Sequence, residues 1–269
     1  MTSEAALAQL QCLLSEVPAL AVAVSGGVDS MTLAVIAHRV LGPRVTMFHA
    51  VSPAVPGEAT TRIHRQAKAE GWDLMILDAG EFRDENYLKN PLNRCFYCKT
   101  NLYSTIAAHT QATIISGANT SDLGEYRPGL RAADEYGVRH PYVECGINKQ
   151  GVRAIARKLD LLDLADLPAA PCLASRIETG INIEPATLIR VHQAESLIND
   201  HMNPATVRCR VRHDAIIVEL DPVSLKQLDS KETSTLRTKI ANIFQDANPV
   251  PPVTFALYQT GSAFVGEKS

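Results

Sequence analysis

The first half of the chain alternates short apolar runs with amphipathic stretches, and this alternation limits the fold more than any other feature of the sequence. Residues 20–24 form an apolar run of the buried-strand type, and residues 31–41 behind them have helical periodicity. The pattern repeats with 44–51 as a strand, 58–70 as a helix, 73–78 as a strand, 100–109 as a helix and 112–116 as a strand. A βαβαβαβ succession predicts a parallel sheet covered by helices on both faces, with ligands at the carboxyl ends of its strands. Between 120 and 182 the chain is richer in Gly, Pro and short charged turns, with one clear helix over 149–158 capped by Asn148. After residue 183 the pattern changes to a helix over 184–201, strands over 207–213 and 215–220, a helix over 223–244 and a last strand over 253–259. The expected architecture is α/β: a larger parallel-sheet domain over 1–182, then a smaller α+β domain over 183–269 that serves the substrate or oligomerisation.

With 269 residues the chain can bury a sizeable core without a disulfide scaffold. Apolar residues at 46% and charged residues at 20% exclude wholesale disorder. A net charge of -3 supplies no bulk positive field for a nucleic-acid backbone, so nucleic acid is not an expected partner. The opening residues lack the basic and apolar regions of a secretory signal, and no apolar run approaches the ~20 residues of a membrane span. A cytoplasmic protein with no membrane partner is expected. Six cysteines in that setting read as reduced thiols, metal ligands or catalytic groups.

The first strand runs into Ser25-Gly26-Gly27-Val28-Asp29-Ser30 and then into a helix. Two adjacent glycines let the backbone turn sharply and approach a ligand, while amides and the Ser25 and Ser30 hydroxyls gather at a helix N-terminus that favours an anion. The loop has neither the lysine of a Walker A loop nor the third glycine of a dinucleotide fingerprint. Its plain alternative is an ordinary strand-to-helix turn. A second segment, Ser116 to Asp122, follows the fourth strand; Gly117 permits close backbone approach, and Asn119 with Asp122 could organise the loop or hold metal. A capped turn is the competing reading.

Cys95 and Cys98 open a helix in Asn93 to Lys99, where the dipole, Arg94 and Lys99 favour thiolates. That pair alone is a redox pair, half a zinc site or two buried thiols. Cys172, in the distant loop Pro171 to Arg176, adds a third sulfur; three thiolates leave one position open on a [4Fe–4S] cluster, whereas structural zinc takes a fourth ligand. Cys12, Cys145 and Cys209 lack such a setting and read as packing residues. Arg208, Arg210 and Arg212 alternate with Val207, Cys209 and Val211, so a strand puts all three cations on one face, either a solvated face or an anion site.

Ser25 to Ser30 is also the signature of the PP-loop ATP pyrophosphatases, which this chain resembles. The resemblance implies that the loop holds the β,γ-pyrophosphate of ATP, that Asp29 helps place Mg²⁺, and that backbone near Val24, His49 and Gly117 lines the adenine; for His49 a satisfied strand-end residue is the stronger reading than any catalytic role. With Asn93 to Lys99, Ser116 to Asp122, Tyr126 to Gly129, Pro171 to Ile177 and Arg210 to His213 added, the chain resembles the LarE family of ATP-dependent sulfur transferases. That resemblance implies adenylation of a carboxylate of pyridinium-3,5-biscarboxylic acid mononucleotide and its conversion to a thiocarboxylate for a nickel-pincer cofactor. It implies Cys172, Asp29, Lys99 and Arg176 as catalytic residues, and ATP held by Val24, Ser25, Gly26, Gly27, Val28 and Ser30. Arg210 and Arg212 match phosphate-binding residues, and Glu195 an acidic residue near the substrate. Cys95, Cys98 and Cys172 place the chain with members that hold a [4Fe–4S] cluster carrying an extra sulfide, rather than with those that sacrifice a single cysteine. Sulfide or another sulfur donor and a homo-oligomer are expected partners. The chain departs from the family after Arg176, where Ile177-Glu178-Thr179-Gly180 replaces an aromatic before the glycine. Rival readings are a PP-loop tRNA thiolase and a non-catalytic module that binds ATP or carries a cluster.

Overall fold

The computed structural model describes residues 2–124, 126–245 and 251–265. In chain order the elements are α1 (Ser3–Ser15), β1 (Leu20–Ala23), α2 (Val28–Leu41), β2 (Val45–Ala50), α3 (Gly57–Glu70), β3 (Asp73–Leu77), α4 (Glu85–Leu88), α5 (Arg94–His109) and β4 (Thr113–Ile115). They continue with α6 (Pro128–Glu135), α7 (Pro141–Glu144), α8 (Lys149–Lys158), α9 (Leu162–Ala165), α10 (Pro185–Met202), β5 (Val207–Val211), β6 (Ile216–Leu220), α11 (Pro222–Gln227), α12 (Ser230–Ile243) and β7 (Val253–Leu257). The chain divides into two compact units, Met1–Asp84 with Asn93–Ala170, and Glu85–Leu92 with Pro171–Ser269. Among the described residues no helix is long and apolar enough to cross a membrane.

The first unit is built on a parallel sheet of order β3-β2-β1-β4. Alternate side chains of each strand leave opposite faces, so Leu20, Val22, Met47 and Ile115 enter one core with α1, α2, α8 and α9. Their neighbours Ala21, Phe48 and Ile114 enter the other, with α5 and α6. The strand order reverses around β1: the chain builds outward through β2 and β3, then returns to place β4 on the other side. The carboxyl ends of β1 and β4 are therefore adjacent at a switch point, the crevice where open α/β sheets bind ligands. Helix ends follow their caps. Asn148 accepts the Gly151 N–H at 2.9 Å to start α8, and Gly71, in the left-handed region at φ 69°, ends α3.

The second unit carries a sheet of order β5-β6-β7, antiparallel between β5 and β6 and parallel between β6 and β7. Leu188, Val191, Ala194 and Ile198 form the buried stripe of α10. The helix expected over 223–244 is two helices, because Asp229 caps α12: its carboxylate accepts the Lys231 and Glu232 amides while Glu232 reaches back to the Asp229 N–H. Residues 85–92 join this unit through Asn90, which is fully buried and left-handed at φ 52°. Its side-chain amide donates to the Glu178 carbonyl at 2.8 Å, and its own carbonyl accepts the Gly180 N–H at 3.0 Å. Replacing Asn90 with Ala leaves buried carbonyls without that donor and adds left-handed strain, a loss on the order of 3 kcal/mol. Denaturant unfolding should show this loss, with Asn90→Gly recovering the backbone part of it.

Candidate functional site

The loop after β1 is held by its own serines. Ser30 Oγ donates to the Gly27 carbonyl at 3.2 Å and accepts the Ser25 N–H at 3.1 Å. Since that single hydroxyl proton is committed to Gly27, Ser25 Oγ donates in its 3.1 Å contact with Ser30 Oγ. Buried Ser30 thus cross-links the loop, and exposed Ser25 faces outward. Gly27 is the N-cap of α2 and Asp29 lies in its first turn. Gly26 sits at φ 79°, a conformation that suits glycine. Gly117, after β4, is glycine for another reason: a Cβ there would stand 2.7 Å from Ser30 N and 2.9 Å from Asp29 C. The two loops meet backbone to backbone.

Around Asp29 the structure assembles residues from far along the sequence. Lys149 Nζ forms an ion pair with Asp29 Oδ2, the Asn119 amide lies 3.4 Å from Oδ1, and Tyr142 Oη donates to the Asp29 carbonyl at 3.1 Å. Asn119 is aimed by Asp122, whose carboxylate accepts both its backbone and side-chain N–H groups, and Asp122 in turn pairs with Arg127 at 2.8 Å. Burial, and then Asp29, push the Tyr142 hydroxyl pKa well up, so it stays a neutral donor. Lys149, Tyr142 and His140 were missed in reading the sequence. The one available signal was Lys149 itself, a cation in the first turn of α8 where the helix dipole disfavours it. His140 Nδ1 lies 2.9 Å from Ser116 Oγ at the end of β4. Burial lowers its pKa, as does Lys99, against the opposing pull of Glu144 and Asp122.

His49 is buried, with Nδ1 3.0 Å from the Val24 carbonyl and Nε2 2.9 Å from Thr60 Oγ1. A carbonyl only accepts, so Nδ1 carries the proton. Burial lowers the His49 pKa, and the neutral ring accepts from Thr60 at Nε2. Cys95, Cys98 and Lys99 lie at the start of α5, all partly buried. The start of α6 presses on them: a Cβ at Gly129 would meet Lys99 Cγ at 3.0 Å and Cys95 O at 3.5 Å. Arg131 of α6 stacks 3.9 Å from the Phe96 ring centroid.

In the second unit Cys172 is exposed, immediately before a 3₁₀ turn over Leu173–Arg176. Arg176 is buried and donates to both carboxylate oxygens of Glu195 at 2.9 Å. It also donates to the Pro171 carbonyl at 2.6 Å and the Cys172 carbonyl at 3.2 Å, and Glu195 accepts the Cys209 N–H at 2.9 Å. Arg210 is buried against Glu219 at 2.9 Å and donates to the Ser175 and Gln259 carbonyls; Arg212 pairs with Glu178 at 3.2 Å and is more exposed. Desolvation pushes the Cys209 thiol well up, in keeping with a packing role. Taken singly, neither unit groups three His, Cys, Asp or Glu side chains as metal ligands among its described residues.

No protein-family model matches the chain. Three relatives do. An uncharacterized protein of Synechocystis sp. is 36% identical over 228 residues, 83% of this chain and 84% of the relative. An uncharacterized protein of Methanocaldococcus jannaschii is 23% identical, over 78% of this chain and 81% of its own length. The pyridinium-3,5-bisthiocarboxylic acid mononucleotide synthase of Lactiplantibacillus plantarum is 29% identical, over 79% of this chain and 78% of that protein. With a glycine-lined loop at the switch point of a parallel sheet, and similarity that runs through most of every partner's length, the chain belongs to the LarE family of sulfur transferases.

Proposed function

We propose that the chain uses ATP to adenylate a carboxylate of pyridinium-3,5-biscarboxylic acid mononucleotide and converts the adenylate to a thiocarboxylate. The observation that carries this reading is the paired loop at the ends of β1 and β4, where Gly117 lies against the Ser30 amide and Asp29 already holds a cation, the Lys149 ammonium. An anion cradle beside a carboxylate fixed on a positive charge suits a triphosphate and its metal. The relative from Lactiplantibacillus plantarum is named for the corresponding product.

On this reading a substrate carboxylate oxygen attacks the α-phosphorus, and pyrophosphate leaves into the amides of Ser25 to Ser30, where its developing charge is stabilised. Asp29 would hold Mg²⁺, which supplies further positive charge to the phosphates. Lys149, one side chain away, can move from Asp29 to a phosphate oxygen. Val24, His49 and Gly117 line the adenine as backbone and packing groups. We assign the mononucleotide phosphate to Arg212 first, because Arg210 is sunk against Glu219.

The sulfur step divides between two possibilities, and we favour three-thiolate ligation. The donor chemistry fits: Cys95 and Cys98 stand one helical turn apart at a helix N-terminus, and the Cys172 thiol is exposed. A [4Fe–4S] cluster held by these three would leave one iron open for sulfide. Arg176 and Glu195 set the loop that presents Cys172.

Incubating the chain with ATP and the dicarboxylate should release AMP and pyrophosphate; ADP as the product would defeat the adenylation reading. Asp29→Asn keeps the side-chain shape and removes its charge, so turnover should fall on the order of a hundredfold, the scale of one preorganised electrostatic group. Its melting temperature should stay near that of the parent. Protein purified without oxygen should contain iron and acid-labile sulfide, Cys95→Ser should lose both, and mass spectrometry should find Cys172 intact after turnover. Dehydroalanine at 172 in a protein that never binds iron would overturn the cluster.

A further inference from the structure

Helix α3 touches the phosphate loop from one side at three successive points. A Cβ at Gly26 would lie 2.9 Å from Ala59 Cβ, so the first turn of α3 is pressed against that residue. Thr60, through His49, carries the Val24 carbonyl. Arg62, three residues on from Ala59 and so on the same helix face, donates from Nη1 to the Gly26 carbonyl at 2.7 Å. Its guanidinium is partly buried, which strengthens a charge-assisted bond relative to one in open water.

The Gly26 carbonyl and the Gly27 N–H belong to one planar trans peptide, in which C=O and N–H point in opposite directions. With the carbonyl turned to Arg62, the Gly27 N–H is turned away from α3. A cation on the carbonyl also draws electron density through the peptide and makes its N–H a stronger donor. The loop lacks the lysine of a Walker A loop, so a charge delivered through a peptide has a clear use. We propose that Arg62 is a positioning residue for the phosphate loop: from behind, it fixes and polarises the Gly26–Gly27 peptide so that the Gly27 N–H is presented to pyrophosphate. This rests on the ATP reading given above.

The test is calorimetric binding to the full chain of two probes, inorganic pyrophosphate with magnesium, and adenosine. Arg62→Met should weaken pyrophosphate about tenfold, less than the loss of a direct charge-assisted hydrogen bond because Arg62 acts through the Gly26–Gly27 peptide, and leave adenosine affinity unchanged. Arg62→Lys keeps the charge without the fork and should recover part of the loss; Arg62→Gln keeps a donor without the charge and should recover less. Unchanged pyrophosphate affinity in Arg62→Met, or equal losses for both probes, would overturn the proposal in favour of a mere brace. If the methionine variant does not fold, Lys and Gln variants that both bind pyrophosphate like the parent would overturn it equally. A parent chain that binds adenosine but no pyrophosphate, or neither probe, would defeat the phosphate-loop reading itself. That failure shows in the parent, whereas failure of the Arg62 role shows only in the variants.

Discussion

The approach of Gly117 to the first turn of α2 is the constraint on which the site depends. A Cβ would need to sit 2.7 Å from Ser30 N, closer than side-chain carbons come to backbone, so the loop after β4 can reach α2 only as glycine. The strand order brings the two ends together, since β4 pairs directly with β1 from Leu20 opposite Thr113 to Val22 opposite Ile115. Once they touch, the rest follows in sequence along the loop. Asn119 comes to face Asp29, Asp122 orients Asn119, and Arg127 neutralises Asp122. The turn that begins as a sheet connection ends as a charge relay around one carboxylate.

What could be read from the sequence is what is encoded within a few residues. The loop Ser25 to Ser30, the cap at Asn148, the strand periodicity and the thiol spacing of Cys95 and Cys98 are all local, and α8 begins where its cap predicts. Lys149 and Tyr142 reach Asp29 from more than a hundred positions away, and no local pattern announces that. Arg62 looks like one more cation on an amphipathic helix until the Gly26 carbonyl is seen beneath it. The break between α11 and α12 is a different case. Its capping box, Asp229 with Glu232, is written locally, but a continuous helical period through 223–244 masked it.

Periodicity leaves the environment of a strand's side chains undetermined, as Arg208 and Arg210 of β5 and Arg212 just beyond its end show. Alternation put Arg208, Arg210 and Arg212 on one face, with a solvated face and an anion site both open. Arg210 lies instead in a buried pair with Glu219, which also accepts the Ser262 hydroxyl at 2.6 Å. A buried ion pair offsets a large desolvation cost only when its remaining donors are also satisfied, and the carbonyls of Ser175 and Gln259 do that here. Glu219 is therefore as necessary as Arg210, and no local spacing announces their pairing across the β5–β6 ladder.

The same reasoning assigns Arg176 and Glu195 to geometry before chemistry. The Arg176 guanidinium is held within its own unit by Glu195 through two parallel bonds, and by the carbonyls of Pro171 and Cys172 and the Ser175 hydroxyl. Removing one member of such a buried pair strands the other charge, at about 3–5 kcal/mol. The part of that disturbance nearest to solvent is the Cys172 backbone, because the opposite side of Glu195 is tied to β5 through the Cys209 N–H. An exposed thiol on a short loop would otherwise sample many orientations, at a cost in rate for any reaction that needs sulfur in one place. Arg176 restrains the backbone that carries this thiol through the Cys172 carbonyl, so displacement of the loop is by itself enough to lower activity when Arg176 is changed, whatever part the guanidinium takes in the chemistry.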